Sequence, residues 1–382
     1  MAPTLAFSLI FFLVALGRTL LLTALPLEAF ARLGSAEYVS YLFLLASAGG
    51  ICVSLNLPVL LKRLGCRGVF YVAASLLVLA TQLLQVDSVA VFLLGMLAYL
   101  AANTAFEITL SVYVMRIVPR DELARFEPQR VLAMVFAFTI GPWFGVFAAD
   151  RWGSAAPFVL TSVLALTAVI YFRLLGLHRV MSASADDAAS DNPLRNVRRF
   201  VAQPRLRLAW LVAFLRSTWW NTLFVYGPIL VVSAGLDKVT AGSIVSLSVA
   251  MAFAVPLWAR LGRRIGLRRL LTIGFGATAF MSLVLASVSV SPLMLAGLMV
   301  LAAASASMID GAGNIAFLRA VRGAERSEMA SVFGTFRDAA QLGTPLLGSL
   351  VLLAAPLTTV FGVIGVGMFG QAWLCRYLPR RM

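Results

Sequence analysis

The chain of 382 residues is 61% hydrophobic and only 12% charged, with a mean hydropathy of +0.94, which is more apolar than a water-facing globular surface allows. Its net charge of +15 would fit nucleic acid if the basic residues lined one soluble face, but they fall in short loops between apolar runs. Nucleic acid is therefore excluded as a partner, and the lipid bilayer takes its place.

A helical crossing needs roughly 20 apolar residues. Twelve spans are predicted at about 5–27, 38–60, 69–86, 89–115, 129–149, 154–175, 207–232, 240–259, 270–289, 292–318, 329–354 and 357–377. The first has no basic leader or small-residue cleavage site and carries Arg18 in its middle, so it reads as a retained span. Loops after even spans, with the C-terminal tail, hold 25 of the 31 Lys and Arg, whereas the odd loops hold only Arg32, Arg151 and Lys238. The positive-inside rule then puts both termini in the cytoplasm. Compact loops and abundant arginine point to a bacterial inner membrane.

Residues 178–206, with Ser182, Asp186, Asp187, Asp191 and Pro193, read as a solvated cytoplasmic linker between an N-terminal bundle, 1–177, and a C-terminal bundle, 207–382. The two halves repeat. Glu107, Arg116, Pro142 and Gly145 recur 203 positions on as Asp310, Arg319, Pro345 and Gly348, in residues that apolar spans normally avoid.

The loop after span two runs Lys62, Arg63, Leu64, Gly65, Cys66, Arg67, Gly68, and the one after span eight runs Arg264, Ile265, Gly266, Leu267, Arg268. Span five contains Gly141, Pro142, Trp143, Phe144 and Gly145, echoed by Thr344, Pro345 and Gly348 in span eleven. With twelve spans in two halves, these motifs resemble the major facilitator superfamily of secondary transporters over nearly the whole chain. The resemblance implies an all-α fold of two pseudo-symmetric six-helix bundles, with a central cavity lined by spans one, four, seven and ten. It makes Arg63, Gly65, Arg67, Arg264, Gly266 and Arg268 gating-loop residues, and the Gly-Pro-x-x-Gly stretch an exporter-like feature. The chain departs from the family pattern where Lys62 replaces the loop acid, and where Tyr99 to Glu107 lacks the arginine of many proton-coupled members. Physically, the prolines and glycines make a bend or a close packing seam.

Six charges lie within spans: Arg18, Glu107, Arg216, Asp310, Arg337 and Asp338. Each costs at least ~2.5–3.5 kcal/mol at a helix centre unless paired or wetted, and three of each sign invite pairing. At ~1.5 Å rise per residue, Asp310 lies level with Arg216 and Arg337, either of which is expected to pair with it. Arg18 sits deeper than Glu107, so that contact asks long side chains to bridge several ångströms. A carboxylate beside an arginine suits a carrier, because desolvation raises its pKa, the arginine lowers it, and protonation follows conformation. The same residues also suit permanent structural salt bridges. Asn103, Asn314 and Asn221, with Trp219, Trp220 and Tyr226, offer amides and rings to a solute. Adjacent Trp219 and Trp220 must point in different directions.

His178, the only histidine, falls in the linker, and Cys52, Cys66 and Cys375 lack metal-ligand or disulfide spacing. No phosphate-binding loop, cofactor or metal site is expected, nor any nucleophile and base of an enzyme. The reading is a monomeric secondary transporter that exports small amphipathic molecules against protons or another coupling ion. Its rivals are a sugar or metabolite transporter and a non-transporting receptor or scaffold.

Overall fold

A computed structural model of the chain describes residues 3–118, 120–176, 193–287, 291–312, 314–321 and 325–378. His178, Ser182, Asp186, Asp187, Asp191 and Gly313 lie outside the described residues. Those described are helical almost throughout, with no strand among them. Ten stretches are each long and apolar enough to cross a membrane. Two further spans complete the twelve. Pro204–Ser233 is diluted by Arg216, Trp219, Trp220 and Asn221, and the eleventh span is broken into Arg326–Gly334 and Phe336–Leu352. The fold is the expected pair of six-helix bundles.

Span one is Pro3–Leu33, and spans two and three form Ala36–Leu83, interrupted at Gly65. Spans four, five and six are Val89–Ile117, Arg120–Trp152 and Ala156–Leu174. Span seven is Pro204–Ser233. Span eight joins Lys238–Ala250 to Val255–Ile265 through one tight turn, Met251–Ala254, ahead of Pro256, which cannot donate to the helical ladder. Leu267–Ser287 is span nine and Leu357–Leu374 is span twelve.

Two expectations need correcting. Span ten crosses as one apolar stretch, Pro292–Ala320, but is not regular helix throughout, because Asn314 leaves helical geometry at φ −94°, ψ 17° and Ile315–Ala320 restarts after it. The linker is not uniformly solvated either. Pro193–Val201 is helical, burying Asn196 and Phe200 while Arg195 and Arg198 stay exposed, and Arg199 bonds Glu325 and Glu328 at 2.7 Å each. The two carboxylates hold the Arg199 pKa above its usual value.

By contacts the described residues form two compact units. One takes in Met1–Gly34, Tyr41–Ala188 and Lys238–Ser246, the other Ser35–Ser40, Ala189–Asp237 and Leu247–Met382. In the first unit, spans three, four and six share an aromatic core in which Phe70 stacks on Phe172 at 4.2 Å, with Phe106 and Tyr113 edge-on. Many large apolar side chains, Leu55, Leu174 and Phe369 among them, point outward, as a lipid-facing surface requires.

Candidate functional site

In the first unit, span four places Tyr99, Asn103 and Glu107 four residues apart, on one face. The Tyr99 phenol donates to the Arg18 carbonyl at 2.8 Å, which holds the main chain of span one near the Tyr99 end of that face. From there the Arg18 guanidinium reaches back to Glu107, with Nη1 3.4 Å from Oε2. The pair is loose and open, its side chains 43% and 50% exposed. Between them, Asn103 donates from Nδ2 to the Tyr99 carbonyl at 2.8 Å, while its buried Oδ1 has no hydrogen-bond partner among the described residues.

The second unit is arranged more tightly. Arg216 and Trp220 stand one turn apart on span seven and grip both oxygens of Asp310. Arg216 Nη1 donates to Oδ1 at 3.0 Å and Trp220 Nε1 to Oδ2 at 3.1 Å, with the ion pair only 17% and 24% exposed. Trp219 points elsewhere, buried and donating to Ser282 Oγ at 3.2 Å. Of the two arginines considered for Asp310, Arg216 makes the bond. Arg337 is exposed, its guanidinium 5.7 Å from the Phe336 ring that Arg216 approaches from 5.9 Å. Asp338 is half-buried in the first turn of Phe336–Leu352, and Asn221 is half-buried beside Trp220. Asn314 is exposed in the break of span ten, so it is not carried one regular turn beyond Asp310.

The seam residues pack main chain against main chain. A Cβ on Gly145 would run into the Leu20 carbonyl, and one on Gly141 into Thr19, so span five lies directly on span one. Pro142 interrupts the ladder there, and the Trp143 N–H donates to Ser246 Oγ at 2.9 Å. In the second unit Gly348, three residues after Pro345, lies against the Tyr226 hydroxyl, which bonds Ser40 Oγ at 2.8 Å. In the loops, Gly65 has φ 66°, ψ 168° and Gly266 φ 90°, ψ 151°. Only glycine holds that region comfortably, so the same turn is built at both motifs. Arg63, Arg67 and Arg264 are exposed around these turns, and Arg268 is half-buried.

Sequence reasoning leaves Tyr99 out of the site and offers Trp220 only as a ring for a solute, not as a partner of Asp310. Trp220 was detectable, because it follows Arg216 by four and must share its face. Tyr99 stands two turns before Glu107, but nothing in the sequence says that its phenol meets the Arg18 carbonyl.

The Major Facilitator Superfamily family model matches residues 7–250, more than half of the chain. The chain belongs to this superfamily. Among solved structures, the superfamily fold recurs in the nucleoside transporter NupG, with a TM-score of 0.78 over 98% of each chain at 13% identity. It recurs in a D-xylose-proton symporter, with a TM-score of 0.74 over 99% of this chain and 97% of the other at 13% identity. A POT family transporter in complex with 5-aminolevulinic acid gives 0.74 over 97% and 94% at 11% identity. These likenesses are of fold. No curated protein sequence matches significantly. As a superfamily member the chain is a transporter by fold, with the Arg18–Glu107 pair in its first unit and the Arg216–Asp310 pair in its second.

Proposed function

We propose that the chain is a secondary active transporter that works by alternating access, exchanging protons for small amphipathic molecules and exporting them from the cytoplasm, where both termini lie. The observation that carries this reading is the contrast in grip on the two carboxylates. Arg18 reaches Glu107 only at 3.4 Å and both side chains are about half exposed, so a proton or a cationic group can displace Arg18 without stranding a buried charge. Protonation of Glu107 releases the Arg18 guanidinium, which is then available to an anionic or polar group of the solute. Asp310, held by two donors, anchors spans seven and ten. Outward direction rests on the exporter-like stretch Gly141, Pro142 and Gly145.

The test is internal pH in proteoliposomes holding a proton gradient, challenged with hydrophobic cations, sugars, nucleosides and organic acids in turn. One class should trigger proton movement that Glu107→Gln abolishes while folded yield is kept. Solute-driven proton movement that survives in Glu107→Gln would remove this residue from the mechanism. A second reading, sugar or metabolite transport, draws on the partnerless Asn103 Oδ1, which suits a hydroxyl donor, and on the nucleoside and xylose transporters that share the fold. The same panel separates it, because sugars or nucleosides would then be the class that responds.

A further inference from the structure

Where the loop ends of spans nine and twelve meet, the second unit opens a cleft of about 730 Å³. Its rim carries Arg268, Arg269 and Arg376, its wall Thr272, Ile273 and Trp373, and no acidic residue lines it. None of the three arginines has a carboxylate partner among the described residues. The Arg376 guanidinium lies 3.4 Å over the Trp373 ring and donates to the Tyr377 hydroxyl at 2.6 Å. Ile273 and Trp373 are 49% and 56% exposed, on the outer surface of membrane helices. Unpaired cations at the helix ends therefore grade into an apolar wall turned to lipid.

The corresponding place in the first unit is filled. Arg67 precedes Arg268 by 201 residues and Arg173 precedes Arg376 by 203. There Arg173 Nε donates to the Tyr71 hydroxyl at 3.2 Å and its guanidinium lies 5.1 Å from that ring, beside the Phe70 to Phe172 stack. At the matching positions the second unit has Thr272 for Tyr71, Cys375 for Phe172 and Arg269 for Gly68. Two rings are replaced by small side chains, and a third positive charge is added.

We propose that this cleft binds an anionic phospholipid, with the phosphate among Arg268, Arg269 and Arg376 and an acyl chain along Ile273 and Trp373. A free phosphate ion would satisfy the arginines but leave the apolar wall unused. Basic clefts between membrane helices at the cytoplasmic side are suited to anionic headgroups. The inference concerns a surface apart from the ion pairs and stands whether or not Glu107 carries protons.

The test is tryptophan quenching in the purified full chain in neutral detergent micelles, titrated with dibrominated phosphatidylglycerol, with dibrominated phosphatidylcholine as the zwitterionic control. Saturable quenching by the anionic lipid is expected, and Trp373→Phe should remove that component. Arg269→Gln should weaken binding about fivefold, and Arg268→Gln with Arg269→Gln roughly twenty-five-fold. Thr272→Tyr, which removes no charge and restores the ring of the first unit, should weaken binding about as much as the single arginine change or more. Elution of each variant as a single folded species excludes collapse as the cause. Equal quenching by the two lipids, indifference to the arginine changes, or displacement of the lipid by millimolar inorganic phosphate would overturn the proposal.

Discussion

The two units set an acid at the same repeat position and hold it differently. Asp310 has a donor on each oxygen and is mostly buried, whereas Arg18 stands 3.4 Å from Glu107 and that pair is half open. Desolvation explains why this matters. A carboxylate withdrawn from water must be paired, so the closed pair cannot lose a partner cheaply, and the open one can. On the function proposed above, equivalent positions then serve anchoring in one unit and exchange in the other.

The most severe way to break this comparison is Arg216→Ala. It strands Asp310 and should cost about 3–5 kcal/mol, read as lost monodisperse yield and a lower melting temperature in detergent. Adding Asp310→Asn should recover much of that loss. Packing can be tested next with Gly145→Ala, whose Cβ meets the Leu20 main chain, at about 1–3 kcal/mol in the same melting assay. Tyr99→Phe removes the bond that holds the Arg18 carbonyl and should cost about 1 kcal/mol. The smallest stability effect belongs to Glu107→Gln, within about 1 kcal/mol because the pair is exposed, although solute-driven proton movement should vanish. If Glu107→Gln melted as low as Arg216→Ala, the distinction between an open and a closed pair would fail.

Much of this was legible from residue spacing. Asp310 could be matched to Arg216 because helical rise puts them at one depth, and the glycines of the two loop motifs announce turns that only glycine makes easily. The fold followed from apolar length and the repeat, because only helices and closed barrels satisfy membrane-embedded backbone groups and continuous runs of about 20 apolar residues suit helices. What stayed hidden depends on tertiary approach or on local breaks. The Tyr99 phenol finds a carbonyl on another helix, and Asn314 loses its regular place because its own backbone leaves helical geometry. Arg199 is one arginine among many in the linker until Glu325 and Glu328 meet it.

The acids of the two pairs stand 203 residues apart, but their arginines do not share that interval. By the repeat, Arg18 corresponds to Asn221 and Arg216 to Leu13. The repeat therefore carries the carboxylates from one half to the other, while each half draws its arginine from a different register position. The half whose arginine stands about 7.5 Å further along the helix is the one whose ion pair is longer and more open to its surroundings.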